Sequence, residues 1–148
     1  MKYFTYNTSF SDKGNISYND AVNIYNSLND KEKKFVSPNS KYANGEKESL
    51  LFRTGNKNCF VDVYKDINNN RDDIGFVIIA TNPKFRGMGL GEKYLKEAIN
   101  LSKDRKIKGL IYRFDNENIP SAILISKFPN FKVINKNNKS TEMFLDLS

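Results

Sequence analysis

The stretch that decides the fold is Asn82-Pro-Lys-Phe-Arg-Gly-Met-Gly-Leu-Gly-Glu-Lys-Tyr94. Before it, the short run at residues 74–80 is rich in β-branched residues and predicts a buried strand. After it, apolar residues recur at helical spacing while Lys and Glu gather on the opposite face, which predicts an amphipathic helix. A glycine-rich turn between a strand and a helix exposes backbone N–H groups at the positive end of the helix dipole. The stretch therefore predicts an anion cradle.

Composition narrows the class of protein. A chain of 148 residues is expected to form one domain, and it contains no run of roughly 18 apolar residues that would span a bilayer. There is no histidine, which removes the commonest general base, histidine-based triads and most zinc sites. The single cysteine, Cys59, suits a reducing compartment and is interpreted as a core residue. Because residues 1–7 also lack the apolar core of a signal peptide, we expect a cytoplasmic protein without membrane partners.

Most of the net charge of +7 surrounds the glycine turn. Residues 82–113 contain nine Lys or Arg and three Asp or Glu, whereas the rest of the chain contains fifteen and fourteen. This concentration would steer a phosphate-bearing ligand to the turn. The alternative is a solvated helix face with Glu–Lys pairs one turn apart. A basic nucleic-acid-binding protein is a further alternative, but the chain has no aromatic–basic RNA-binding motif or zinc knuckle, so no nucleic-acid partner is expected.

The order of predicted elements indicates an α+β domain without repeats or a linker. Polar stretches at 39–48 and 68–73 are interpreted as a loop and a turn. The predicted strands lie at about 2–10, 49–54, 59–65, 74–80, 107–114, 131–134 and 141–147, and the predicted helices at about 17–28, 30–35, 90–103 and 118–128.

The glycine turn fits one nucleotide motif and fails two. Glu92 stands where the dinucleotide fingerprint G-x-G-x-x-G requires its last glycine, and no Gly-Lys-Ser/Thr of a Walker A loop occurs. The pattern that fits is R-x-x-G-x-G, from Arg86 to Gly91. In this placement it resembles the acetyl-coenzyme A loop of the GNAT N-acetyltransferase superfamily. The stretch from Asn118 to Phe131 resembles a later block of that family, N-x-x-[AS]-x-x-x-[Y]-x-K-x-G-F.

The resemblance implies a fold, a reaction and a set of residues. The fold would be a single GNAT-like domain over residues 1–148, with a central mixed, mostly antiparallel sheet flanked by helices. The reaction would be direct attack of an unidentified small-molecule or peptide amine on acetyl-CoA in a ternary complex, without a metal, in a monomer or homodimer. Lys84, Lys93 and Lys127 would approach the coenzyme phosphates. The implied coenzyme-binding residues are Ile79, Ala80, Thr81, Arg86, Gly87, Met88, Gly89, Leu90, Gly91 and Asn118.

Two departures from the family pattern concern the chemistry. The tyrosine that protonates the departing thiolate in many members is replaced by Ile125, and the G-F pair after the helix is replaced by Phe128-Pro-Asn-Phe131. A thiol has a pKa of about 8.5, so thiolate departure needs less help from an acid than an alkoxide would. Loss of the tyrosine therefore does not exclude transfer, but Ile125 and the absence of histidine leave a coenzyme-binding domain without transferase activity as an alternative. Asn118 has an alternative role as a helix cap.

An attacking amine also needs a base, and Asp62 is the candidate. Phe60, Asp62 and Tyr64 share one face of the predicted strand at 59–65, and a carboxylate among strand residues is costly to bury without a purpose or partner. The alternative is that this face is exposed to solvent. Glu48 and Glu117 are further candidates on predicted loops. Tyr64 and Tyr112 are possible proton donors, with packing as their alternative role.

Overall fold

The computed structural model describes residues 16–36, 50–66 and 71–148. A 3₁₀ turn at Pro83–Phe85 carries the chain from the third strand into the glycine loop. In chain order the elements are α1 (Tyr18–Asn26), α2 (Asp30–Val36), β1 (Leu50–Asn56), β2 (Cys59–Asp66), β3 (Arg71–Thr81), α3 (Leu90–Asp104), β4 (Gly109–Asp115), α4 (Ile119–Ser126), β5 (Phe131–Lys136) and β6 (Ser140–Asp146).

The strands of the described chain form one six-stranded sheet in the order β1-β2-β3-β4-β6-β5. Only β3 and β4 pair in parallel, and the helix α3 makes the crossover between them. The other four pairs are antiparallel. The predicted α+β fold with a mixed, mostly antiparallel sheet is therefore confirmed.

The two parallel strands diverge after a short contact. Their register runs only from Ile74 opposite Gly109 to Phe76 opposite Ile111, although β3 continues along β2 as far as Thr81. The N–H of Asn82 donates to the carbonyl of Asn58 at 2.8 Å, which makes every second residue of β3 a hydrogen-bonded partner of β2. The alternation leaves the backbone groups of Ile79 and Thr81 facing the gap between β3 and β4.

Helices cover both faces of the sheet. On one face α1 buries Ala21 and Ile24 against Phe60 and Tyr64 of β2. On the other face α3 buries its apolar stripe in a larger core whose members include Val61, Val63, Leu95, Ala98 and Leu110. Burial on both faces explains why β2 and β3 carry continuous apolar runs rather than a strict alternation.

Two of the element boundaries that differ from the sequence predictions belong to β1 and β3. Residues 71–73, predicted as part of a turn, begin β3, and β1 continues through Gly55 to Asn56. The carbonyl oxygen of the Asn56 side chain accepts from the N–H groups of Asn58 and Cys59, so two residues suffice for the turn. The predicted strand at 2–10 and the predicted loop at 39–48 lie outside the described residues.

Candidate functional site

A cleft of about 610 Å³ opens where β3 leaves β4. The end of β3, the glycine loop, α2 and the start of α4 form its walls. Met88 is not part of the lining, and its side chain is 66% exposed. The cleft brings together nine of the ten residues that the sequence analysis assigned to a coenzyme, namely Ile79, Ala80, Thr81, Arg86, Gly87, Gly89, Leu90, Gly91 and Asn118.

The glycine loop presents bare backbone to the cleft. Gly87 and Gly89 have φ angles of 80° and 76°, in the left-handed region that residues with a Cβ rarely adopt. Gly89 is the N-cap of α3 and supplies no side-chain cap. The first helical bond runs from Lys93 N–H to the Gly89 carbonyl at 3.0 Å, so the preceding N–H groups have no partner within the helix. Such a helix start attracts an anion.

The loop also packs closely on α4. A Cβ at Gly91 would lie 3.3 Å from Cδ2 of Leu124, which is tighter than an ordinary contact. By contrast, a Cβ at Gly87 or Gly89 would meet no atom within 4 Å. A side chain at Gly91 would therefore press on Leu124, whereas the other two positions favour glycine because of their backbone conformation.

Charged side chains surround the cleft in mutually compensating pairs. Arg86 forms an ion pair with Glu32 of α2. Partial burial disfavours the charged form of Glu32, but hydrogen bonds from Asn29 and Arg86 outweigh it and lower the pKa of this carboxyl. Glu92 lies 3.2 Å from Lys96 and 3.5 Å from Lys127, and the hydrogen bond from Lys96 is the main reason that its pKa is lowered.

The lysines expected near the phosphates occupy different positions. Lys127 lines the cleft, whereas Lys84 and Lys93 do not. The ammonium of Lys93 instead lies 5.2 Å from the ring centroid of Tyr94.

The start of α4 supplies polar groups to the cleft. Asn118 is the N-cap of this helix, and its side-chain oxygen accepts from the N–H of Ser121 at 3.3 Å. The residue caps the helix and lines the cleft at once, so its two predicted roles are compatible. Its side-chain amide nitrogen has no partner among the described residues.

A tyrosine–serine pair lies beside Asn118. The hydroxyl groups of Tyr112 on β4 and Ser121 on α4 are 2.7 Å apart, and both residues line the cleft. Tyr112 is 4% exposed, and burial raises the pKa of its hydroxyl to about 12 despite the hydrogen bond with Ser121. Ile125, one helical turn after Ser121, is buried in the core and is not part of the cleft lining.

Asp62 lies in a different environment. Its carboxylate accepts from Nε and Nη2 of Arg53 at 2.6 and 2.8 Å and from the Tyr64 hydroxyl at 3.0 Å. Both Arg53 and Asp62 are 0% exposed, and Phe60 packs below the guanidinium at 5.6 Å. The alternative that this face is exposed to solvent is therefore wrong. Asp62 is not among the residues that line the cleft, and its role as a base stays a prediction.

Three other sequence expectations concern the described chain. Cys59 is fully buried beside the Thr81 hydroxyl, and burial raises the pKa of its thiol to about 11, as a core residue requires. Within residues 16–36, 50–66 and 71–148, no group of three or more His, Cys, Asp or Glu is placed to hold a metal ion. None of the helices in the same ranges combines the length and apolarity that a bilayer span needs.

Two parts of the cleft were not predicted. α2 contributes Glu32 and Phe35, and the hydroxyl pair of Tyr112 and Ser121 forms only when β4 and α4 meet. The sequence marks α2 as a short helix, but no local pattern indicates which loop it faces. The sequence indicates Tyr112 as a possible proton donor, but it does not indicate Ser121 as the partner.

Comparison with solved structures finds this fold in several acetyltransferases. The chain is similar to an N-acetyltransferase from Staphylococcus aureus Mu50 (TM-score 0.54, 20% identity, 62% of this chain and 61% of that one). It is similar to the ribosomal-protein-S18-alanine N-acetyltransferase from Escherichia coli (TM-score 0.52, 19% identity, 62% of both chains). It is also similar to yncA from Salmonella typhimurium, solved with its cofactor acetyl-CoA (TM-score 0.52, 16% identity, 62% of this chain and 58% of that one).

These similarities cover only part of each chain and have low sequence identity. The alignments span about three fifths of the matched chains, at or below about one fifth identity. No protein-family model and no curated protein matches the sequence. The protein has the fold of the GNAT N-acetyltransferases.

Proposed function

We propose that this protein is an acetyl-CoA-dependent N-acetyltransferase, acting as one domain over residues 1–148. The observation that carries the proposal is the cleft in which three groups meet: the free backbone edge at Ile79 and Thr81, the uncapped glycine loop, and Asn118. Acetyl-coenzyme A has a matching set of groups: a pyrophosphate, a hydrogen-bonding pantetheine arm and a thioester. The fold and the net positive charge of residues 82–113 support the same donor.

In this proposal the residues of the chain bind and orient the donor. The loop N–H groups of residues 87–92 would hold the pyrophosphate, and Arg86 would exchange its contact with Glu32 for the phosphate. The edge of β3 would bind the pantetheine arm and direct an N–H group at the thioester oxygen, which gains negative charge as the amine attacks. Holding both reactants together supplies much of the rate enhancement.

The proton balance assigns a role to the Tyr112–Ser121 pair. The neutral amine nitrogen bonds to the thioester carbon, the carbon–sulfur bond breaks, and the nitrogen loses a proton while the sulfur gains one. The hydroxyl pair lies in the cleft one helical turn before Ile125, which has no proton to give. We assign to it the hydrogen bond to the leaving sulfur and the relay of the proton. The high pKa of Tyr112 keeps this donor protonated at neutral pH.

The test combines binding with turnover. Acetyl-CoA should raise the melting temperature of the protein, and free thiol should appear when a suitable amine from a broad panel is added. Absence of protection at millimolar acetyl-CoA would contradict the proposal.

Ile125 favours one other function, a coenzyme-binding domain without transferase activity. Its core position leaves the family's usual acid position without a proton donor. That function predicts thermal protection by coenzyme and no thiol release with any amine of the panel. This function would be excluded if the wild type releases thiol and if Tyr112→Phe lowers that release at unchanged coenzyme affinity.

A further inference from the structure

A second cavity of about 180 Å³ continues from the cleft into the gap between β3 and β4. Six residues line both cavities, so the two spaces are contiguous: Phe35, Val36, Ile79, Tyr112, Asn118 and Ser121. The shared group includes Ile79, where the thioester is proposed to lie. A molecule in the second cavity, which we call the β3–β4 pocket, would therefore approach the thioester from the side opposite the glycine loop.

Most of the residues that line the β3–β4 pocket are apolar or aromatic. Aromatic rings enter it from three elements, with Phe35 on α2, Phe76 on β3, and Tyr112 and Phe114 on β4. Ile111 belongs to the same lining. Such a surface favours an apolar or aromatic body, because ring contacts add to the free energy of burying apolar area.

Two charged residues also line this pocket. Arg113 of β4 and Glu142 of β6 are directly opposite each other in the antiparallel register. Neither forms an ion pair within 4.0 Å with another described residue, and the Arg113 side chain is largely exposed. Glu142 is only partly exposed, and among the described lining residues it is the one acid. It therefore offers a carboxylate to a cation that enters the pocket.

The volume limits the size of the occupant. An apolar cavity of roughly 150 Å³ binds benzene. A pocket of about 180 Å³ accordingly has room for one ring, or a branched chain of similar size, with a short polar extension. A long polyamine would fill it with several charged nitrogens against aromatic walls, which is unfavourable without a partner for each charge.

Resting on the proposed acetyl transfer, we propose that the β3–β4 pocket selects the acceptor, and that the acceptor is a small primary amine on a single apolar ring. Glu142 recognises the ammonium group, and the aromatic walls bind the ring. The amine reaches the thioester from the residues that both cavities share.

The test measures binding to the full chain saturated with coenzyme A, which carries no acetyl group, so no turnover interferes. The probes are 2-phenylethylamine, its neutral analogue 2-phenylethanol, and spermidine, each titrated by calorimetry. We expect 2-phenylethylamine to bind most tightly. Glu142→Gln should weaken its binding on the order of tenfold and leave that of the alcohol unchanged. The matched variant Arg113→Gln, which removes the opposing cation, should leave amine binding unchanged or strengthen it.

A second variant tests the space itself. Ile111→Phe adds a ring to the pocket and should abolish binding of 2-phenylethylamine, while thermal protection by coenzyme A reports that the fold and cleft persist. An equal loss for amine and alcohol in Glu142→Gln, or spermidine binding more tightly than 2-phenylethylamine, would overturn the proposal. So would an absence of binding by all three probes.

These outcomes separate the pocket from the reaction. If 2-phenylethylamine binds as expected but acetyl-CoA releases no thiol, the proposed acetyl transfer falls and the pocket assignment stands. If thiol release occurs with spermidine and 2-phenylethylamine does not bind, the pocket assignment falls and the acetyl transfer stands.

Discussion

The cleft and the Asp62 cluster are two polar regions of this sheet, and they differ in whether their charged groups are exposed. In the cluster, Arg53, Asp62 and the Tyr64 hydroxyl contact one another with no exposure of either charged side chain. In the cleft, Arg86 and Glu32 pair at the surface, and the N–H groups at the start of α3 have no partner within the helix. The cluster is closed to solvent, whereas the charged groups of the cleft reach the surface.

The difference has a physical cause in the strand pairing. β1, β2 and β3 remain paired along the part of the sheet that holds Asp62, so a polar group there must find its partner within the protein. β3 and β4 part after Phe76 and expose backbone and side-chain groups to a second molecule. We therefore expect a structural role for Asp62, whose neighbouring strands stay paired, and a ligand-binding role for the groups that face the gap between β3 and β4.

The largest expected effect is a loss of folding stability when the ion pair of the Asp62 cluster is broken. Asp62→Asn removes the charge that compensates Arg53, and loss of one partner of a buried ion pair destabilises a protein by about 3–5 kcal/mol. Urea unfolding measures the change. The matched control is Asp73→Asn, whose ion pair with Arg71 at 2.9 Å is exposed and should contribute little measurable stability.

The same variant also tests Asp62 as a base. If Asp62→Asn retains its unfolding free energy but loses acetyl transfer, Asp62 acts in the chemistry and the comparison between a closed cluster and an open cleft is wrong.

The second expected effect is a loss of coenzyme affinity when the glycine loop is obstructed. Gly89→Trp places a large side chain at a φ angle of 76° within the loop, and coenzyme affinity should fall by about 100-fold or more. Met88→Trp is the control, because Met88 is exposed, lies outside the cleft lining and keeps its backbone N–H. Calorimetry with coenzyme A measures both. Unchanged affinity in Gly89→Trp would contradict the assignment of the loop.

A third, smaller effect concerns the hydroxyl pair. Tyr112→Phe should lower kcat by roughly 10- to 100-fold, less than a positioned acid usually contributes because a thiolate leaves with little acid help, and should leave coenzyme affinity within about twofold. Ser121→Ala should have a similar effect, and the double variant should lose little more, because the two hydroxyls act as one unit. Tyr94→Phe is the control, since Tyr94 is buried but lines neither cavity. Additive losses would indicate separate roles.

Tyr112 also predicts a pH dependence of stability. Burial raises the pKa of its hydroxyl to about 12 in the folded protein, above the ordinary value of 10.0. Its contribution to stability is therefore complete below pH 10 and is lost as the pH rises toward 12, because the unfolded chain ionises first. Denaturant unfolding of the wild type should show this loss, and Tyr112→Phe should lack that part of it. Identical pH profiles would contradict the assigned burial.

The smallest expected effect concerns the ion pair between Arg86 and Glu32 at the cleft. Glu32→Gln removes the carboxylate that competes with phosphate for Arg86, so coenzyme affinity should increase a few-fold at low salt. Asp30→Asn makes the same change of charge on α2 away from Arg86 and lines neither cavity. Equal gains in the two variants would point to net charge rather than to release of the arginine.

The glycine loop shows how far sequence reasoning reaches. Strand, turn and helix follow one another within residues 74–104, and the order β3, loop, α3 was predicted because each element depends on local periodicity and on glycine. The cap at Asn118 was equally local, since a side-chain oxygen needs only an N–H three residues later. The α+β class followed from this element order together with the resemblance of the two motifs.

Contacts between distant segments lay beyond that reach. The alternation of β2 places Phe60, Asp62 and Tyr64 on one face, but it does not state whether that face is covered. Helix α1 buries it, and Arg53 nine residues earlier supplies the partner. The pairing of Arg86 with Glu32 and of Tyr112 with Ser121 likewise depends on how α2 and α4 pack.

By itself, the sequence determined most of the elements, the glycine loop between strand and helix, and the excess of positive charge around that loop, because these follow from neighbouring residues. Only the tertiary structure decided where β3 and β4 separate, which polar residues are closed off in the core, and which line the cleft and the β3–β4 pocket. The physical reason is that solvent access and partner geometry arise from packing between elements far apart in the chain, which no local pattern records.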